Sequence, residues 1–109
     1  MMVRFYDKMP DMECLAGDTL PSFIIEVDAD NLNGCRMQLL IASYDEPEQV
    51  ILSKDGSQTD NGFIFTLTSE DTKNLSGLFR MHFRFVGSDG LSRRKLSGVL
   101  RVIPVPLGV

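Results

Sequence analysis

"LFRMHFRFV" (residues 78–86) is the stretch that decides the fold. Phe79, Met81, Phe83 and Phe85 alternate with Arg80, His82 and Arg84. A period of two belongs to the β-strand, whose successive side chains point to opposite faces; a helix would mix the two sets around its circumference. The segment therefore reads as a half-buried strand with one aromatic face turned inward. The same test finds strands on either side. "FIIEVD" (residues 23–28) sends Phe23, Ile25 and Val27 one way and Glu26 and Asp28 the other, and "GFIFTLT" (residues 62–68) sends Phe63, Phe65 and Leu67 inward. β-branched and aromatic enrichment supports both.

"CRMQLLIAS" (residues 35–43) places Met37, Leu39 and Ile41 on a core face, with Leu40 on an otherwise polar face that something must cover. "EQVILS" (residues 48–53) is a short strand after Pro47, and "RRKLSGVLRVIPV" (residues 93–105) a long one ended by Pro104, which has no N–H to pair. "MECLA" (residues 12–16) supplies a first short strand. Turn signals separate these runs. Asp55-Gly56, Asn61-Gly62 and Asp89-Gly90 offer the positive-φ positions of tight hairpins. "TSEDTKNL" (residues 68–75) alone looks helical, a crossover over residues 69–75 with Ser69 as cap and Glu70 and Asp71 in the first turn. Short strands with turns every 8–12 residues or so predict an antiparallel sandwich or barrel of about seven strands.

Two echoes stand out. "NLNG" (residues 31–34) and "NLSG" (residues 74–77) each follow a polar or helical connector and each precede a strand. Leu32 and Leu75 are expected to tuck into the core margin, while Gly34 and Gly77 permit a sharp change of direction. A third echo, "KLSG" (residues 95–98), lies inside a strand-like run, where Gly98 marks a bulge or a close approach.

At 109 residues the chain has room for one core, so residues 1–109 are expected to form a single domain. Its ends differ from its body. Residues 1–10 are apolar and aromatic, and two readings stand: packing on the same domain, or an arm reaching a neighbour through Val3, Phe5 and Tyr6. The tail, residues 104–109, is held extended by Pro104 and Pro106 and offers Val105 and Leu107 as contact residues.

The net charge of −4 lacks the cationic footprint that binding a phosphate backbone requires, so nucleic acid is not an expected partner. No run approaches the roughly 18 apolar residues of a membrane span, and Asp7, Asp11 and Glu13 interrupt any secretory leader. Synthesis in a cytoplasm is the expectation, with Cys14 and Cys35 reduced. One histidine, His82, lies between two arginines on a polar face, where an exposed or cross-strand-paired side chain outweighs a catalytic one. With no base and nucleophile tied by spacing, no catalytic, cofactor or metal residue is assigned, and the chain is not expected to be an enzyme. The acidic turns "DADN" (residues 28–31) and "SDG" (residues 88–90) read as solvated, because the twelve-residue calcium-loop pattern is absent. Singly scattered glycines make no phosphate cradle. The dense basic run Arg93, Arg94 and Lys95 reads either as an edge-strand charge guard or as a docking surface for an acidic neighbour, extended by Arg80, Arg84 and Arg101 if their strand adjoins the last one.

Taken in order, "GDTLPSFIIEV", "NLNGCRMQLLI", "NGFIFTLTSEDTKNLSGLFRMHFRFVGSDG" and "RKLSGVLRVIPV" resemble the immunoglobulin-like N-terminal domain of phage baseplate upper proteins and related small tail modules. The resemblance spans residues 17–105. It implies an immunoglobulin-like sandwich acting as a non-enzymatic virion building block, made in the bacterial cytoplasm and joined to other phage proteins or to its own copies. Baseplate upper proteins continue into long helical or receptor-facing regions where this chain stops, so a separate neck, head-decoration or fibre-adaptor subunit stands beside the baseplate reading. The alternative is a carbohydrate- or cell-surface-binding module of the same fold, with a host glycan as ligand; the lack of Trp and the presence of only two Tyr speak against it.

Overall fold

Two sheets face each other across a core in which phenylalanine is prominent. The computed structural model describes residues 2–5, 8–28 and 31–105, the side chains at 94 and 95 excepted. Its strands are β1 (Met2–Arg4), β2 (Met12–Leu15), β3 (Phe23–Glu26), β4 (Arg36–Ser43), β5 (Val50–Asp55), β6 (Ser57–Gln58), β7 (Gly62–Phe65), β8 (Gly77–Val86) and β9 (Ser92–Ile103), with the helix α1 (Ser69–Thr72) between β7 and β8. One sheet runs β1-β3-β7-β6 and the other β2-β9-β8-β4-β5.

β8 is the centre of the larger sheet. Its apolar set, Phe79, Met81, Phe83 and Phe85, is buried, as the period of two requires. Phe83 meets Phe65 edge-on at 5.4 Å between ring centroids and Phe23 at 6.1 Å, so one ring ties β8 to two strands of the opposite sheet. Each such fully buried ring contributes about 1.5–3 kcal/mol by leaving water, and aromatic pairing adds about 0.5–1.5 kcal/mol.

β7 lies in the smaller sheet and β8 in the larger, so α1 is the crossover between layers. It is shorter than residues 69–75, and its cap is Thr68 rather than Ser69. The Thr68 hydroxyl accepts from the Asp71 N–H, and the Asp71 carboxylate accepts from the Thr68 N–H at 2.8 Å, a reciprocal capping box. Both lead-in turns adopt the left-handed backbone, Gly34 at φ 77° and Gly77 at φ 99°, and Leu32 is buried. Gly90 is left-handed too, but Gly56 and Gly62 are not. Those two serve close packing instead: a Cβ on Gly56 would stand 2.7 Å from the Phe65 ring, and one on Gly62 would fall on the Ile25 carbonyl.

The N-terminal segment departs most from expectation. Residues 2–4 form a strand that the sequence did not announce, and β1 pairs with β3 in parallel, as β2 does with β9. These parallel pairs are not hairpins; they arise because the N-terminal strand is split between the layers, β1 at the margin of the smaller sheet and β2 at that of the larger. Val3, Phe5 and Met9 are buried, and the Phe5 ring packs at a tilt against Phe85, 5.7 Å between centroids. Within the chain, residues 2–5 and 8–9 thus pack on their own domain. Gly98 is the close approach that the third echo suggested: a Cβ there would stand 2.8 Å from Met9 Cγ.

β5 and β6 are almost continuous, yet β5 pairs with β4 and β6 with β7, so the chain changes sheet at Gly56. The smaller sheet thereby holds the A, B, E and D positions, and the larger one G, F and C with an added C′, the immunoglobulin-type division. It is a β-sandwich of nine strands among the described residues rather than about seven, the surplus being the split N-terminal strand and the short β6.

Candidate functional site

The outer face of the larger sheet carries an unusual set of side chains. The parity that buries Phe83 turns Arg80, His82 and Arg84 outward, and the neighbouring strands add to them in register. Arg80 lies between Ala42 and Val99, His82 between Leu40 and Ser97, and Arg84 beside Gln38. Arg36 faces Val86, and Arg101 lies between Glu13 and Leu78. β8 and β9 do adjoin, so Arg80, Arg84 and Arg101 share one face.

Two of these arginines are held. Arg80 Nε donates to the Tyr44 carbonyl at 2.8 Å, and its guanidinium lies 4.2 Å over the Tyr44 ring. Arg84 Nε donates to Ser92 Oγ at 2.9 Å. A fixed guanidinium loses less freedom on meeting a carboxylate than a loose one does. At one end of the face, Leu15 is paired with Ile103 and Leu78 with Arg101, and all three apolar side chains are exposed. Arginine and tyrosine beside exposed aliphatic residues is the composition of a protein contact. Sequence reasoning missed this trio. The signal was there: Leu15 shares the strand parity of Glu13, and Leu78 that of Arg80, so each is a large apolar residue on a polar side.

The residues singled out from the sequence fall in different places. Val3 and Phe5 are core residues, so the folded chain does not offer them to a neighbour. Leu40 stands on the outer face but is only 9% exposed, flanked in register by Ser53 and His82; the chain itself covers it. Arg93 is half-buried, and Arg94 and Lys95 belong to β9 while their side chains lie outside the described residues. Residues 93–95 fall where β9 has β8 on one side and, among the described residues, no strand on the other, because β2 covers only residues 100–103. Val105 is half-buried, and Tyr6 and Leu107 lie outside the described residues.

No reactive constellation is assembled from the thiols and the imidazole. Cys14 is buried beneath the larger sheet, whereas His82 is on its outer face. Burial, and then the negative charge of Asp18, push the Cys14 thiol pKa up, away from reactivity. Cys14 pairs with Val102, itself opposite Gly77, and Cys35 precedes Arg36, which faces Val86. The length of β8 thus separates the thiols by roughly 30 Å, against the ~7 Å limit of a disulfide. Both are free. Among the described residues no three His, Cys, Asp or Glu side chains gather as metal ligands. Among the described residues one surface depression is an open notch of about 290 Å³ bounded by Lys8, Met9, Asp11, Arg80, Ser97 and Val99.

Neither a protein-family profile nor a curated protein sequence matches the chain. Solved structures do. The N-terminal domain of phage TP901-1 ORF48 superposes with a TM-score of 0.54 over 94% of each chain at 8% identity. CopC from Methylosinus trichosporium OB3b gives 0.53 over 88% of this chain and 86% of that one at 15% identity. The fibronectin(III)-like modules of Clostridium thermocellum CbhA give 0.52 over 91% and 98% at 14% identity. At such identities the likeness concerns the sandwich itself.

Proposed function

We propose that this chain is a non-enzymatic structural protein of a phage or prophage virion, a baseplate, tail or adaptor component that works by protein–protein assembly. The observation that carries the reading is the outer face of the larger sheet, which carries Arg36, Arg80, Arg84 and Arg101 along its length and exposed Leu15, Leu78 and Ile103 at the Arg101 end. Such a face gains free energy when its apolar part leaves water and its guanidinium groups meet carboxylates. Support for the phage context comes from the order of motifs along the sequence and from the TP901-1 ORF48 domain, whose fold is similar over 94% of each chain. Function then consists of linkage, with affinity set by buried area and charge pairing.

Co-expression with the products of the flanking genes tests it. A stable complex with a virion protein is expected, one that Arg80→Glu or Leu78→Asp weakens without unfolding the domain. Retention of the isolated monomer on a glycan or cell-wall matrix, with no protein partner among those products, would replace it by surface recognition.

A further inference from the structure

Charge is divided across the outer face of the larger sheet at the end where β8 begins. To one side of Leu78 lies Arg101, with exposed Leu15 and Ile103 just beyond it. To the other side β4 and β5 are joined by "YDEPE" (residues 44–48), a tip closed by the Ser43 N–H donating to the Gln49 carbonyl at 3.3 Å. Arg80 holds this tip over the outer face, because its Nε binds the Tyr44 carbonyl while its guanidinium covers the Tyr44 ring. Ser43 pairs with Phe79, so the tip begins level with Leu78 and Arg101. Asp45, Glu46 and Glu48 are exposed, as is Arg101, and among the described residues none of the four has an ion-pair partner. Glu13, in register with Arg101, is the one acid on the cationic side.

We infer that two copies of this chain pack these faces together about a two-fold axis that runs along β8 and passes close to Leu78. This deepens the assembly reading above and rests on it, with the chain itself as the partner. Such an axis keeps every level of the sheet in place and exchanges the two sides of β8. Leu78 therefore meets Leu78 of the second copy, Arg101 arrives over Tyr44 and Asp45, and Leu15 and Ile103 arrive over the tip at Glu46 and exposed Pro47. The sheets lie face to face with their strands aligned, an ordinary way for sheets to stack. Each charge pair forms twice, because a two-fold contact is isologous, and the assembly closes at two copies. Apolar side chains at the centre with charges around them is the anatomy of a protein contact. An axis across the strands, centred on His82, would instead set Arg80 against Arg84 and repel, so the charges also select the orientation. Three exposed aliphatic side chains per copy make a small contact, and the dimer is expected to form at about 10–100 µM chain.

Charge reversal on each side of β8 tests the pairing. By sedimentation and light scattering the wild type is expected to pass from monomer to dimer with rising concentration, and to dissociate with added salt. Arg101→Glu alone, and Asp45→Lys with Glu46→Lys, should each weaken dimerisation more than about tenfold, because each sets like charges at both symmetric contacts. An equimolar mixture of the two variants should restore it, since the mixed dimer holds one native and one reversed pair. Leu78→Asp should abolish dimerisation, and Glu13→Gln should tighten it by removing the carboxylate brought towards the acidic tip. Far-UV circular dichroism and melting temperature confirm that each variant is folded. A wild type that stays monomeric throughout overturns the two-fold pairing and leaves the complex with flanking-gene products to decide the assembly reading. A dimer that Arg101→Glu leaves unchanged, or a mixture that fails to restore association, overturns this contact while assembly itself stands.

Discussion

Substituting Gly98 asks whether the N-terminal segment is locked onto its own sheet. An alanine Cβ at this position would stand 2.8 Å from Met9 Cγ, 3.0 Å from Met9 Cβ and 3.5 Å from Met81 Cε. Carbon atoms prefer about 3.5–4.0 Å, so the first two contacts overlap by several tenths of an ångström. Met9 is fully buried, and the overlap falls at the root of its side chain, where rotating the thioether gives no relief. Overpacking of this kind costs about 1–3 kcal/mol, while replacing a strand glycine by alanine returns about 0.5–1 kcal/mol. The net expectation for Gly98→Ala is a loss of about 1–2 kcal/mol, which for a domain of this size lowers the melting temperature by roughly 5–10 °C. Met9→Ala alone should lose about 2–5 kcal/mol to the vacated volume. In the double variant the new methyl enters that space, so the combined loss should fall short of the sum by at least about 1 kcal/mol. The chain has no Trp, so urea unfolding is best followed by far-UV circular dichroism, at two protein concentrations. Additive losses, within about 0.5 kcal/mol, would refute the contact. A coupling that changed with concentration would place the Met9 of another copy against Gly98.

Three further outcomes follow from contacts near the crossover and from the thiols. Thr72 is fully buried; its hydroxyl accepts from the Gly17 N–H at 3.0 Å and donates to the Asp18 carbonyl at 2.7 Å, so Thr72→Val should cost about 1–3 kcal/mol in urea unfolding by leaving both groups unpaired. Burial pushes the Asp71 carboxyl pKa up, but hydrogen bonds from Lys54 (2.8 Å) and Thr68 outweigh it and hold the pKa below the ordinary aspartate value. A depressed folded pKa gives stability that is present above about pH 4 and lost as pH falls through the folded value, so Asp71→Asn should be less stable by about 1 kcal/mol at neutral pH and less acid-sensitive below pH ~4. With a thiol reagent at neutral pH, partly buried Cys35 should react faster than Cys14, which is buried and should react only on unfolding; equal rates would contradict the position of β2.

Much of the sandwich was legible because its decisive signals are local. The alternation in β3, β4, β7 and β8 fixes which side chains are buried, whatever those strands pair with. The turns before β4 and β8 announced themselves through Gly34 and Gly77, since left-handed backbone is a property of one residue. Asp55-Gly56 and Asn61-Gly62 misled for the complementary reason: there glycine answers to the Phe65 ring and the Ile25 carbonyl, which come from elsewhere in the chain. β1 escaped notice because three residues are too few to show a period, and its burial depends on β3 and Phe85.

The candidate surface was less legible than the core. Sequence alone determined that Arg80 and Arg84 face away from the aromatic side and that Arg93, Arg94 and Lys95 form one basic run, because parity and composition travel with the chain. Only the tertiary structure decided that Arg101 and Arg36 join that face, that Leu15, Leu78 and Ile103 lie together, and that Val3 and Phe5 are enclosed. Neighbourhood across a sheet is set by which distant strands pair and in what register. That is a matter of total buried surface, and no short stretch of residues encodes it.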